Sequence, residues 1–300
     1  MNPLGINLSF AVKRWPEPEV WAKRVRKELG LNLVQFTFDL IDPWWPEKLA
    51  FSLAHRVRRA AEAQGITIHS AFVGLAHYTY NQLLHPKGEG RAAAKEWYKR
   101  AIDLAAELGV KAVGGPVGGM SVREKHREAR YQELLDTLNE LAVYAKGRGL
   151  ETLLIEPTPL RREVPWTVEA ARKLAQDLTG SAVPFRYCLD IGHALYQPLY
   201  GSGASLESWL KLGDRIGVLH LQQTDGQSDS HWNFAGYPEL ARTKGIVDPA
   251  RVVQDLQQAG LGNMPVILEV FYPFELTDEA VWSDVKSGVA NLKHRFVLDD

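Results

Sequence analysis

Short apolar runs alternate with amphipathic stretches eight times along this chain, and that alternation limits the fold more than any other feature. The runs are 5–12, 31–38, 66–72, 111–117, 152–157, 185–191, 216–221 and 265–271. Each has the length and apolar content of a strand buried on both faces. The segments between them (16–29, 47–64, 90–108, 121–148, 167–178, 206–212, 249–259 and 278–296) have helical spacing. Val20, Trp21, Val25 and Leu29 mark a buried face on the first, and Leu134, Leu138, Leu141 and Ala145 on the fourth, where Ser121 and Glu124 form a capping-box pattern. Eight strand–helix pairs with no linker or composition break predict one α/β domain over 1–300, a (β/α)8 TIM barrel. An open doubly wound sheet usually has nearer ~6 strands and a glycine fingerprint in its first turn, which this chain lacks.

A formal net charge of -1 argues against nucleic-acid and membrane partners. The single cysteine, Cys188, cannot form an internal disulfide and lies within an apolar run, as expected of an inert core thiol in a reducing cytoplasm. No charged leader precedes an apolar stretch, and no apolar run approaches the ~18 residues of a membrane span. A homo-oligomer stays open.

Four consecutive apolar runs finish on metal-capable side chains: Glu156, Asp190, His220 and Glu269. One acidic group at a strand end reads as a helix N-cap or a loop salt bridge. Four on neighbouring strands of a barrel converge at its C-terminal rim, and buried carboxylates need a shared partner. Three carboxylates and one imidazole suit one divalent cation, Mn²⁺ first, with Mg²⁺, Co²⁺ or Zn²⁺ as alternatives. Glu156 and Glu269 would flank such an ion from strands three apart. Opposed carboxylates can take a proton from one face of a carbon and return it to the other, through a metal-stabilised cis-enediolate. The chemistry is epimerisation beside a ketone, or aldose–ketose isomerisation through the same intermediate.

The strand ends IEP (155–157), LDIGHA (189–194), HLQQ (220–223) and LEV (268–270) resemble those of the xylose-isomerase-like TIM barrels. Within that superfamily the chain is most similar to the sugar-phosphate isomerases and epimerases related to D-tagatose and D-allulose 3-epimerases. The opening GINLSFAVKRWPEP and the DPWWPE segment also look like the erythrulose-phosphate epimerases. The resemblance implies that Glu156, Asp190, His220 and Glu269 hold the metal. It further implies that Glu156 and Glu269 exchange the proton, and that His193 hydrogen-bonds the substrate.

One departure concerns the substrate. The free-ketohexose epimerases carry an arginine shortly after the strand-seven histidine, whereas this chain reads LQQTDGQ. Basic residues occur instead on three other presumed rim segments: Lys13 and Arg14, Arg161 and Arg162, and Arg242 and Lys244. Lys13, Arg161 and Arg162 are the candidate contacts to a substrate phosphate. Gly114, Gly115, Gly118 and Gly119 could admit a phosphate or let the substrate approach the backbone.

Endonuclease IV, a trinuclear-zinc phosphodiesterase, offers a second resemblance. His69 (read as ending strand three), His193, and Asp229 with His231 in the long loop 222–248 match further ligands of that enzyme. The histidine it needs at the end of strand four is missing, because 113–119 reads VGGPVGG. His69, His193, Asp229 and His231 are therefore read as substrate-binding or loop-ordering groups, with a second metal left open.

Overall fold

The computed structural model describes residues 2–79 and 82–296. Its eight strands form one closed parallel barrel in sequence order, with helices between them. The strands are β1 Leu4–Asn7, β2 Leu33–Thr37, β3 Thr67–Phe72, β4 Ala112–Gly115, β5 Thr152–Ile155, β6 Phe185–Asp190, β7 Ile216–Leu221 and β8 Val266–Leu268. The helices are α1 Pro18–Arg24, α2 Glu47–Ala63, α3 Leu75–Tyr78, α4 Gly88–Leu108, α5 Arg127–Gly147, α6 Val168–Asp177, α7 Ile191–Ala194, α8 Gln197–Tyr200, α9 Leu206–Leu210, α10 Glu239–Lys244, α11 Pro249–Gln258 and α12 Asp278–Lys293. Among the described residues, no helix is long and apolar enough to cross a membrane.

Contacts gather within two compact units. The first takes in the described parts of 1–35, 59–67 and 189–300. Within it β8 pairs with β1 (Gly5 beside Ile267) and with β7 (His220 beside Ile267). Phe10, Trp15 and Trp282 cluster with ring centroids 5.5–6.1 Å apart, and the Arg24 guanidinium lies 4.7 Å from the Trp15 ring. Trp15 is thus part of a buried aromatic set.

The second unit takes in 36–58 and 68–188. Here β4 pairs with β3 and β5, and Phe36, Phe38, Trp97 and Tyr98 stack edge to face. Leu134, Leu138, Leu141 and Ala145 line the buried face of α5, as their spacing predicts. At β4 the backbones come so close that a Cβ on Gly114 would lie 1.9 Å from the Leu154 carbonyl oxygen. One on Gly115 would lie 2.4 Å from a Val73 methyl.

Two local expectations need correction. The first strand stops at Asn7, whose side chain accepts from the Ser9 amide at 2.9 Å and starts a 3₁₀ turn over Leu8–Ala11. Ser121 does not cap a helix, since α5 begins six residues later. Its hydroxyl accepts from Arg123 N at 3.2 Å and closes a turn, while Glu124 accepts from His126 N at 2.8 Å.

Candidate metal centre

Asp190 closes β6 and caps α7, and its two oxygens do different work. Oδ1 accepts from His193 N at 2.9 Å and from Gln222 Nε2 at 2.8 Å. Oδ2 is buried with no hydrogen-bond partner among the described residues. The capping role and the ligand role weighed against each other for this residue are thus compatible, one oxygen each. His220 lies fully buried in β7, with Nδ1 2.9 Å from Glu269 Oε2 and Nε2 2.7 Å from Gln35 Oε1. Glu269 follows β8, and its main-chain N–H donates to the Leu221 carbonyl at 2.9 Å.

Glu156 follows β5 and is buried. One ligand-capable atom from each of Asp190, His220 and Glu269 lies within 4.8 Å of the others. Asp190, His220 and Glu269, three of the strand-end side chains named from the sequence, are therefore brought together within the first unit.

The long loop supplies the rest of the surroundings. Gln223 and Trp232 exchange main-chain hydrogen bonds at 2.8 and 3.1 Å, which folds 222–232 back on itself. His231 is thereby held at φ 45°, a left-handed conformation unusual for a residue with a Cβ. Its ring packs 4.5 Å from that of Phe271, with Nε2 3.0 Å from Asp229 Oδ1 and Nδ1 3.5 Å from Glu269 Oε2. His193 Nε2 lies 3.3 Å from the other Asp229 oxygen, so Asp229 joins the two rings. Asp190, His193 and His231 also meet the 4.8 Å separation, as a second group of three.

Charge follows from this geometry. Burial alone would raise the Glu269 carboxyl, but His220, His231 and His193 outweigh it and hold the group below the usual carboxylate range. Burial likewise works against the charged form of Asp229, yet His193 and His231 bring it well below its ordinary value. For His231, burial would lower the imidazole, while Asp229, Glu269 and Asp190 push it up to about 9.

This donor set fits a divalent cation. Buried carboxylates at Asp190 and Glu269 are costly to hold unless each oxygen finds a countercharge or a donor. The unpartnered Asp190 Oδ2 gives that cost a specific atom. Oxygen donors with a single nitrogen suit a hard or borderline ion.

Other expected site residues fall elsewhere. His69 is the third of six residues in β3 rather than its last, half-buried, with Nδ1 2.9 Å from Ser70 Oγ. Phe72 ends β3 in the core, inside the apolar run read as a strand. Arg14 is taken up structurally: its guanidinium donates to the Pro273 and Leu276 carbonyls and pairs with Asp278 at 2.8 Å. The Lys13 ammonium sits 4.5 Å from the Phe274 ring, and the Arg161 guanidinium 5.7 Å from that of Trp166. Arg162 lines a cavity of about 140 Å³ with Gln82, Gly119, Ser121 and the Glu163 carboxylate. Arg242 pairs with Glu239 on exposed α10.

Sequence reasoning missed Asn7, Gln35 and Gln222, three buried amides that hold the acidic and imidazole groups. A neutral amide inside an otherwise apolar strand, or directly after one as at Gln222, was the available signal, because such a group needs a hydrogen-bond partner.

A profile of the xylose isomerase-like TIM barrels matches residues 24–285. The D-erythrulose 1-phosphate 3-epimerase of Brucella abortus (strain 2308) is 25% identical over 295 residues, covering 96% of this chain and 94% of that enzyme. A Rhodospirillum rubrum crystal structure, provisionally assigned as a xylose isomerase, is 40% identical with a TM-score of 0.93, covering 99% of this chain and 100% of that one. An L-ribulose 3-epimerase structure shares the fold at 21% identity, with a TM-score of 0.71 over 97% of this chain and 93% of that one. With relatives of this kind the chain is an enzyme of the isomerase class. The matched span and the barrel agree: the chain belongs to the xylose isomerase-like TIM barrel family.

Proposed function

We propose that the chain is a divalent-metal-dependent epimerase acting beside the ketone of a small ketose phosphate, with a tetrulose phosphate such as erythrulose phosphate as the leading substrate. The observation that carries this reading is the gathering of Asp190, His220 and Glu269 around one point. The activity of the Brucella relative supports the substrate class. The four side chains would hold the ion, Mn²⁺ first, with Mg²⁺, Co²⁺ and Zn²⁺ acceptable to the same donors. When bound, the cation supplies positive charge that favours the anionic form of the substrate's oxygens.

The chain's own groups move the proton. One glutamate of the Glu156–Glu269 pair takes it from the carbon, and the C–H electrons pass into an enediolate. The other glutamate delivers a proton to the opposite face, so the configuration inverts with no net redox change. Glu269 suits the base role because its imidazole neighbours keep it ionised. His193, Asp229 and His231 would bind substrate hydroxyls, with His69 a more distant candidate. Lys13, Arg161 and Arg162 would attract the phosphate. Residues 1–300 would act as one domain. The buried lone thiol Cys188 fits a cytoplasmic enzyme, with neither nucleic acid nor membrane as a partner and a homo-oligomer open.

The deciding experiment is incubation in deuterated water with ketose phosphates of three to six carbons. Deuterium at the carbon beside the ketone, with both epimers present, is the expected result. No exchange at any carbon refutes the reading. The Rhodospirillum relative favours a second reading, aldose–ketose isomerisation, which would produce an aldose phosphate instead.

A further inference from the structure

A chain of amide contacts starts at a main-chain N–H and ends at the ring of His220. The Ser9 amide donates to Asn7 Oδ1 at 2.9 Å, and a main-chain N–H can only donate. That contact fixes which end of the Asn7 amide is oxygen and turns Nδ2 the other way. Nδ2 then donates to Gln35 Oε1 at 2.8 Å and to Glu269 Oε1 at 3.0 Å. The Gln35 atom facing Asn7 must accept, so it is the carbonyl oxygen. The same oxygen lies 2.7 Å from His220 Nε2, and the nitrogen facing it must carry a proton. Asn7, Gln35 and His220 are all at least 98% buried, at 2%, 0% and 0% exposure, so water does not substitute in this relay.

We infer that Gln35, oriented by Asn7, is a positioning residue that keeps the His220 proton on Nε2 and so presents Nδ1, the nitrogen beside Glu269, as the ligand nitrogen. A ligating histidine held through its other nitrogen has a fixed tautomer and ring orientation. Here the hold comes from a neutral amide polarised from a strand end rather than from a carboxylate. This inference rests on the reading of Glu156, Asp190, His220 and Glu269 as a cation site.

The test measures Mn²⁺ binding to the chelator-stripped chain by calorimetry, alongside ¹⁵N-histidine NMR with Mg²⁺ as a diamagnetic ion. The unsubstituted chain should show His220 protonated on Nε2. Gln35→Leu should weaken Mn²⁺ binding about 10- to 100-fold, and Gln35→Glu, which keeps the acceptor, should recover most of it. Wild-type Mn²⁺ affinity in a folded Gln35→Leu chain, or His220 protonated on Nδ1 in the unsubstituted chain, would overturn the inference while leaving the cation site standing. No Mn²⁺ binding by the unsubstituted chain would overturn both. The NMR result on the unsubstituted chain decides the matter if Gln35→Leu does not fold.

Discussion

Gly288→Ala should destabilise this protein even though alanine is the better helix former. Gly288 lies buried in α12, where replacing glycine by alanine would ordinarily gain up to about 1 kcal/mol. A Cβ there would fall 1.8 Å from Asn233 Oδ1 and 2.4 Å from its Cγ, so the Asn233 amide has to leave. That amide is buried: Nδ2 lies 2.8 Å from both the carbonyl oxygen and Oδ2 of Asp284, and Oδ1 accepts from Phe234 N at 2.8 Å. Three hydrogen bonds at about 1 kcal/mol each outweigh the helix gain, leaving a net loss of about 2 kcal/mol. At about 2–4 °C per kcal/mol, the melting temperature should fall by roughly 4–8 °C. Thermal unfolding of Gly288→Ala, Asn233→Gly and the double variant measures this. In the Asn233→Gly background the alanine should cost nothing or stabilise. An unchanged or raised melting temperature in Gly288→Ala alone, or full additivity in the double variant, would refute the reasoning.

Glu269→Gln should lower turnover by at least about 100-fold, the scale of a lost general base, while circular dichroism stays native; near-normal turnover would remove Glu269 from proton transfer. Exhaustive chelation should abolish activity and Mn²⁺ or Co²⁺ should restore it, whereas activity that survives metal analysis showing no ion would contradict the cation site. Arg161→Ala combined with Arg162→Ala should reduce kcat/KM for a ketose phosphate by more than about 10-fold beyond any loss on the free sugar, and equal losses would assign both arginines to the loop alone. His231 is raised from an ordinary imidazole near ~6.5 to about 9, so its stabilising contribution is complete below ~6.5 and disappears as pH rises through about 9. The melting temperature of the metal-free chain should therefore drop between about pH 7 and 9.5, and Asp229→Asn should flatten that drop.

The barrel was legible because each apolar run needed a helix to cover it and no segment broke the alternation. Glu156, Asp190, His220 and Glu269 were legible for a related reason: a charged or imidazole group at the end of an apolar strand is conspicuous. His69 was misplaced by three positions because a histidine inside a strand and one at its tip look alike until the register is known. Arg14 looked free in sequence, yet its partners are carbonyls at Pro273 and Leu276 that only the folded chain brings near. Asn7, Gln35 and Gln222 were passed over because uncharged amides blend into a strand pattern, although burial makes their hydrogen bonds obligatory. Ser121 and Glu124 have the spacing of a capping box, but competing local bonds at Arg123 and His126 delay the helix.

The crowding at β4 carries an evolutionary consequence. A lineage drifting from this chain toward a trinuclear phosphodiesterase would need an imidazole at the tip of the fourth strand. A single codon change at Gly115 would drive the new side chain into Val73, and one at Gly114 into the Leu154 carbonyl. At Gly114 the Leu154 backbone would have to shift, and at Gly115 the Val73 side chain would have to give way, so a histidine at either codon requires a compensating change nearby.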